Sequence, residues 1–433
     1  MSQWMKLDNI GIVYPAVAGE NNSAVYRFSL IFTERLEAGF LQQALDITLP
    51  RYPMLQQKLR KGLFWRYLER DERRFLVEKD QYYPCRSMAK GPESEPLVRV
   101  LYYERRLSVE IFHGLTDGTG AVEFMKTLAF VYLQLKGYAV EPEDLVRLPQ
   151  EAFSQEEGED SFHRYYAELV EEKREEPLED VIKRNRKAYQ IEGEYFEPYG
   201  NQVVHGVISV AALKEIAARQ GASINEYLLA LVIYMIYKRS ALEPGDKRPI
   251  RVSVPVNLRQ FFPSRTLRNF FAVTYIDIPC NREQSLEGIV EEVKAQMQVN
   301  IRRPRLLRYI VGHQRLEKIM IARFLPLLLK DGIVRSLFLY YNDKLRTCTV
   351  SNMGLLRLPK SMEPYVESGE LVFYPTASNP VNCGILAVKD KLTITFARSI
   401  KDGLIVQQFF RHLSQNLGLE VAVYGNEWRD IYR

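Results

Sequence analysis

Between positions 98 and 136 the chain runs through two short apolar strands, a polar turn and a long amphipathic stretch, an order that commits strand and helix to one folding unit. Residues 98–103 and 107–112 flank Glu104-Arg105-Arg106 as a β-hairpin, and Leu107, Val109 and Ile111 alternate onto one face of its second arm. From 119 to 136 the residues Val122, Phe124, Met125, Leu128, Ala129, Tyr132 and Leu135 recur at helical spacing. Between strand and helix stands Phe112-His113-Gly114-Leu115-Thr116-Asp117-Gly118-Thr119-Gly120, so a histidine and an aspartate share one strand-to-helix turn.

The same mixture continues along the chain. Dense β-branched and aromatic runs predict strands over 25–32, 203–209, 249–255, 270–278, 347–352, 370–375, 384–388 and 392–397. Helical periodicity covers 36–49, ended by Pro50 and Pro53, then 211–219, closed by Gly221, then 223–238, where Ser223 and Glu226 form a capping pair. Further helices are predicted over 286–300, over much of 306–340 with a break at Pro326, and over 405–417. No internal repeat is present. Strands and helices mix in both halves, so the fold class is α/β or α+β.

At 433 residues the chain exceeds what one core usually supports, and two domains are expected. The N-terminal half is placed at 1–189, its last part, 140–189, being an acidic connection with a short helix over 165–174, and the C-terminal half at 190–433. That connection is read as lying outside the core. The chain has 59 basic and 54 acidic residues, yet positions 140–180 hold 15 acidic against 4 basic, so the remainder carries a net +16. Such a body suits an anionic small cofactor or an acidic partner protein, with a solvated surface as the plainer reading. No alternation of arginine with aromatics and no zinc-finger spacing accompanies the charge, which argues against nucleic acid.

The longest apolar run, 227–237, is too short for a membrane span, and the opening residues show no basic stretch followed by an apolar one, so the cytoplasm is the expected address. Cys85, Cys280, Cys348 and Cys383 lie far apart without a C-x-x-C pair, which disfavours a metal site and reads as buried free thiols, a disulfide remaining open.

Four motifs follow one another: His113-x-x-x-Asp117-Gly118, Val254-Pro255-Val256-Asn257-Leu258-Arg259, Arg268-Asn269-Phe270-Phe271, and Val350-Ser351-Asn352-Met353-Gly354. In this order they resemble the chloramphenicol acetyltransferase-like superfamily of CoA-dependent acyltransferases, most closely its alcohol O-acetyltransferase branch. Plant acyltransferases, wax-ester synthases and nonribosomal condensation domains are cousins. The motifs span positions 113 to 354, so the resemblance covers nearly the whole chain. It implies two similar halves, each a mixed sheet backed by helices, with a channel between them and the histidine at mid-channel. It makes His113 the general base, Asp117 a structural anchor, Arg259 the ion-pair partner of Asp117, and Asn269, Ser351 and Asn352 candidates for lining the channel or serving an oxyanion. The implied co-substrate is acyl-CoA, acetyl-CoA above all, without a metal. The implied partner is a small-molecule alcohol, with an acyl carrier protein as the alternative. Two departures stand out. Phe112 occupies the place where condensation domains carry a second histidine, and the Asp-Phe-Gly-Trp-Gly signature of the plant branch is absent.

The residues fit that chemistry on their own terms. A hydroxyl attacking a thioester must lose its proton, and an imidazole with a pKa near ~6.5 is the side chain matched to take it, contributing typically ~10²–10⁴-fold. No G-x-S-x-G elbow is present, so direct transfer without an acyl-enzyme is the simpler mechanism. Asp117 reads as a helix N-cap, as an orienter of the imidazole, or as the partner of Arg259, the last favoured by the resemblance. Gly118 and Gly120 serve close backbone approach or a tight turn. A non-catalytic homologue is the reading from a different class.

His163, His205, His313 and His412 share no motif and are read as surface or packing residues. The run Arg302-Arg303-Pro304-Arg305-Leu306-Leu307-Arg308 reads as a solvated helix start, or as a contact for CoA phosphates or a carrier protein. Residues 324–329 and 338–341 are apolar enough for peripheral membrane contact, although core packing is the expected role.

Overall fold

Alternating apolar residues form the strands where the sequence places them, and the register then decides which sheet each strand joins. The computed structural model describes residues 4–8, 10–88, 96–169, 187–197, 200–241, 245–320, 326–338 and 344–426. Two mixed sheets dominate, each backed by helices. The five-stranded sheet runs in the order Val366–Phe373, Val25–Phe32, Arg106–Phe112, Val98–Tyr103, Val77–Lys79. The seven-stranded sheet runs Phe271–Ile278, Ile250–Asn257, Cys348–Leu356, Val381–Val388, Lys391–Arg398, Gln202–Ser209, Ala422–Gly425. A small sheet of Trp4–Lys6, Arg66–Arg70 and Gln57–Lys61 lies apart from both.

Helix Gly118–Leu135 packs on Ala38–Thr48 and on the strands Val25–Phe32 and Arg106–Phe112. It is apolar nearly all round, with Phe124, Leu128, Ala129 and Leu133 among its buried residues, as a helix between a sheet and a second helix must be. Val210–Arg219, Ile224–Ser240, Leu286–Asn300 and Leu404–Arg411 back the larger sheet. Ser223 and Glu226 complete the expected capping box.

The helix boundaries follow the sequence closely, with Arg303–Met320 and Leu327–Phe338 falling either side of Pro326, and 321–325 and 339–343 outside the described residues. The strand read at 370–375 runs Val366–Phe373. It pairs antiparallel with Val25–Phe32, so a strand of the second half completes the sheet of the first. That exchange crosses the division drawn at 189, because buried Val366, Leu371 and Val372 find their apolar neighbours in the first core.

The acidic connection departs from expectation. Glu157 is buried, held by both terminal nitrogens of Arg51 at 3.1 and 2.8 Å, and Phe162 and Tyr165 pack in a third core with Leu258, Phe262 and Phe270. The buried carboxylate pairs this stretch, at 156–165, with Arg51 of the N-terminal half, while the two buried aromatics pack it against the C-terminal half. The expected helix over 165–174 is described as Ser161–Leu169, and the remainder through 186 lies outside the described residues. All four cysteines are free thiols, three of them buried. Among the described residues no helix is long and apolar enough to cross a membrane.

Candidate active site

The strand Arg106–Phe112 ends where its neighbour Val25–Phe32 begins, Val25 pairing with Phe112, and the backbone N–H of His113 still donates to Ala24 O at 2.8 Å. The imidazole is thus held by the last rung of the ladder. Tyr26, buried on the adjacent strand, donates its hydroxyl to the carbonyls of Thr116 and Asp117 at 2.9 and 3.0 Å, which fixes the turn that follows.

Asp117 caps the helix and joins the halves at once. Its Oδ1 accepts from the N–H groups of Thr119 and Gly120 at 3.0 and 3.4 Å, the helix N-cap expected of it. Its Oδ2 accepts from Arg259 Nη1 at 2.7 Å and from the Phe270 N–H at 2.8 Å. Every lone-pair direction is used, so the carboxylate has none left for the imidazole. Arg259 is equally committed, its guanidinium donating to the carbonyls of Thr266, Arg268 and Phe270 as well as to Asp117. A side chain built on Gly120 would stand 2.4 Å from Leu267 O, and one on Gly118 would strike Met353, so close approach is what these glycines provide.

Asn269 sits directly behind the imidazole. Its Nδ2 donates to Asp8 Oδ2 at 3.0 Å, to Asp8 Oδ1 at 3.2 Å and to His113 O at 3.1 Å, and its backbone N–H donates to Asp8 Oδ2 at 3.2 Å. These contacts orient the amide so that Oδ1 faces His113 Nδ1 at 3.1 Å. A carbonyl oxygen there requires the proton on Nδ1, which leaves Nε2 with its lone pair. Nε2 has no hydrogen-bond partner among the described residues, and the residue keeps part of its surface in solvent.

Three rings surround the imidazole. Tyr14 stacks on it at 4.5 Å, Tyr26 meets it edge-on at 4.8 Å, and Phe271 lies at 5.4 Å. Burial holds the His113 pKa below its ordinary 6.5, against the upward pull of its own backbone, Asp117 and Asn269. The ring is therefore neutral at pH 7. Burial also raises the Asp8 carboxyl to about 6, although Arg268 pulls it down.

The structure thus brings His113, Asp117, Gly118, Arg259 and Asn269 together. Asn269 is buried, with its amide hydrogens committed, so it orients the imidazole and has no N–H to offer an oxyanion. Ser351 is buried on its strand, and Asn352 donates to Asn225 Oδ1 at 3.2 Å while accepting from the Gly354 N–H. Neither makes a hydrogen bond to the imidazole. Met353, the next residue after Asn352, reaches Gly118.

Sequence reasoning missed Asp8, Tyr14, Tyr26 and Phe271. Phe271 is the last residue of a singled-out motif and Tyr26 lies in a recognised strand, but Asp8 and Tyr14 lie in a segment without periodicity. His205, expected as a surface or packing residue, is a packing one: it is buried, bonded through Nδ1 to Thr395 Oγ1 at 2.9 Å and stacked on Tyr424. The His313 side chain lies outside what is described. In the basic run, Arg302 and Arg303 are exposed as expected, whereas Arg308 buries an Nε that has no partner among the described residues.

No protein-family model matches the chain, and no curated protein matches it by sequence. Solved structures share the fold. Polyketide synthase associated protein 5 from Mycobacterium tuberculosis superposes with a TM-score of 0.62 at 14% identity, covering 95% of this chain and 98% of its own. TRI101 of F. sporotrichioides, solved with coenzyme A and T-2, gives 0.62 at 14%, over 97% of this chain and all of its own. The trichothecene 15-O-acetyltransferase TRI3 of Fusarium sporotrichioides gives 0.60 at 10%, over 96% of each. The two-domain mixed α/β architecture is that of these proteins.

Proposed function

We propose that the protein is a CoA-dependent acyltransferase that moves an acyl group, acetyl in the simplest case, from a thioester to an alcohol. One observation carries this reading: His113 is a neutral imidazole whose Nδ1 is occupied and whose Nε2 is free. Nε2 takes the proton of the acceptor hydroxyl as its oxygen attacks the thioester carbonyl. The C–S bond then breaks, and the imidazolium returns the proton to the departing thiolate. The balance closes with one hydroxyl, one thioester and one imidazole.

Asp117 and Arg259 act through position, pinning the turn that carries the base to the opposite half. Asn269 sets the tautomer. Asn352, half-buried, is proposed to line the passage to the base together with the strand that carries Ser351. Similarity to an O-acetyltransferase and to a protein solved with coenzyme A supports a CoA thioester as donor. Similarity to a polyketide synthase associated protein supports a second reading, transfer to or from the phosphopantetheine of a carrier protein.

The test is release of free thiol from acyl-CoA in the presence of a panel of alcohols. His113→Ala is expected to slow it by at least about a hundredfold. An unchanged rate in that variant would refute the mechanism. Turnover with acyl-carrier protein but not with acyl-CoA would establish the second reading, and no turnover with either would identify a non-catalytic homologue.

A further inference from the structure

We infer that the protein docks on an anionic lipid surface through a face built from the hairpin turn at 62–65 and the helix Leu327–Phe338. This holds independently of the proposed reaction. Leu63, Trp65, Leu328, Leu329 and Ile333 are 73%, 57%, 85%, 58% and 52% exposed. Core packing, the role expected of the 324–329 stretch, is therefore corrected for Leu328 and Leu329, while Phe324 and 339–341 lie outside the described residues.

The five side chains make one patch because the two elements are tied together. Leu327 N–H donates to Leu63 O at 2.9 Å, Lys330 Nζ donates to Phe64 O at 2.9 Å, and Arg66 grips the Asp331 carboxylate with both terminal nitrogens. Leu329 and Ile333 stand one helical turn apart with Leu328 beside them. The helix packs against Tyr14–Val17, whose Tyr14 stacks on the His113 ring, so the face lies close to the candidate site. Clustered exposed side chains of this size mark an interaction surface, unlike apolar residues scattered singly.

Charge selects the partner. Residues 57–70 hold five basic side chains and one acidic. That acid, Glu69, is paired with Lys58 and Arg60, and Asp331 of the helix is paired with Arg66. Lys61 and Arg335 are exposed and have no ion-pair partner among the described residues. Trp4, 54% exposed, pairs in register with Glu69, so the small sheet adds a tryptophan and, two residues on, Lys6 to the same region. Leucines and a tryptophan at a protruding turn, beside uncompensated lysine and arginine, are the composition of a surface that lies in a headgroup layer. A basic rim adds attraction to anionic lipid that falls with salt.

The experiment is sedimentation of the full chain with vesicles of phosphatidylcholine alone or with about a third phosphatidylserine. Binding is expected to be at least tenfold stronger to the anionic vesicles. The double variant Leu328→Glu/Leu329→Glu should lower it at least tenfold with the melting temperature unchanged, and Lys61→Glu/Arg335→Glu should remove the preference for anionic lipid. Absence of binding to either vesicle, or binding unaffected by both variants, would overturn the inference. So would a protein dimer that Leu328→Glu/Leu329→Glu dissolves in the absence of any lipid binding.

Discussion

His113 and His205 each stand in a polar cluster that ties one sheet to the other, yet their ring nitrogens meet opposite fates. His205 is buried, its Nδ1 bonded to Thr395 and its Nε2 3.8 Å from Glu370, whose carboxylate also accepts from Arg106 at 3.0 Å and from Tyr424 at 2.8 Å. Burial drives the His205 pKa down to about 4, while Glu370 pulls the other way. Against its own burial, Glu370 is held at about 2 by His205 and Arg106. At neutral pH this is a neutral ring against an ionised, arginine-bound carboxylate. The His113 ring has a single polar partner, Asn269 on Nδ1, and its Nε2 has none among the described residues. A depressed pKa is common to both, so it does not set the two rings apart; the nitrogen without a partner among the described residues does.

The sharpest way to break this contrast is to remove each ring in turn. His113→Ala should cost about 10²–10⁴-fold in kcat/KM with the fold intact. His205→Ala should leave kcat/KM within about threefold and instead lower stability by ~1–3 kcal/mol, since Thr395 and Glu370 lose a buried partner. Chemical denaturation read beside thiol release separates the two, and a large activity loss in His205→Ala would dissolve the distinction.

Arg259→Ala tests the other staple. It leaves the Asp117 carboxylate buried without its guanidinium, so unfolding free energy should fall by ~3–5 kcal/mol. Activity should fall with it, because the turn carrying His113 loses its anchor; Arg259→Lys should recover little, since one ammonium cannot serve Asp117 and three carbonyls.

A smaller effect is expected for Asp8→Asn, which loosens the amide that fixes the imidazole tautomer. A fall of roughly tenfold in kcat with KM unchanged is expected, as for a mispositioned base. Asp8→Asn should also flatten stability against pH. The raised Asp8 pKa means its contribution is fully present below the ordinary 3.8 and is lost as pH rises through about 6, a slope the variant lacks. A merely structural Asp8 would change stability and leave kcat untouched.

The smallest effect is the pH profile itself. Because the His113 pKa lies below 6.5, its basic form persists under that pH, and the acid limb of kcat/KM should fall only below 6.5. His205, also depressed, contributes stability that is present above 6.5 and lost as pH falls through about 4, which chemical denaturation against pH would read. An activity limb above pH 7 would contradict the neutral assignment of His113.

Much of this was legible in the chain. The hairpin, the turn and the helix that follows are local, and alternating residues such as Leu107, Val109 and Ile111 report their own burial. Asp117 as an N-cap was readable for the same reason, the capping bonds reaching only Thr119 and Gly120. The neighbours of Asp8 form no pattern around it, and its role depends on a partner 261 positions away. That His205 packs rather than lies on the surface, and against which partners, was not readable because Glu370 and Tyr424 come from distant strands.

By itself, then, the amino-acid order determined the local elements, the mixed class and a histidine–aspartate turn at the end of a strand, since period and capping act over a few residues. Tertiary structure alone decided that Val366–Phe373 completes the first sheet, that Asn269 and Asp8 stand behind the imidazole, and that Leu328 and Leu329 face outward. Those outcomes rest on contacts between residues hundreds of positions apart, whose geometry arises only when both cores have closed around apolar faces that no short window of sequence can pair.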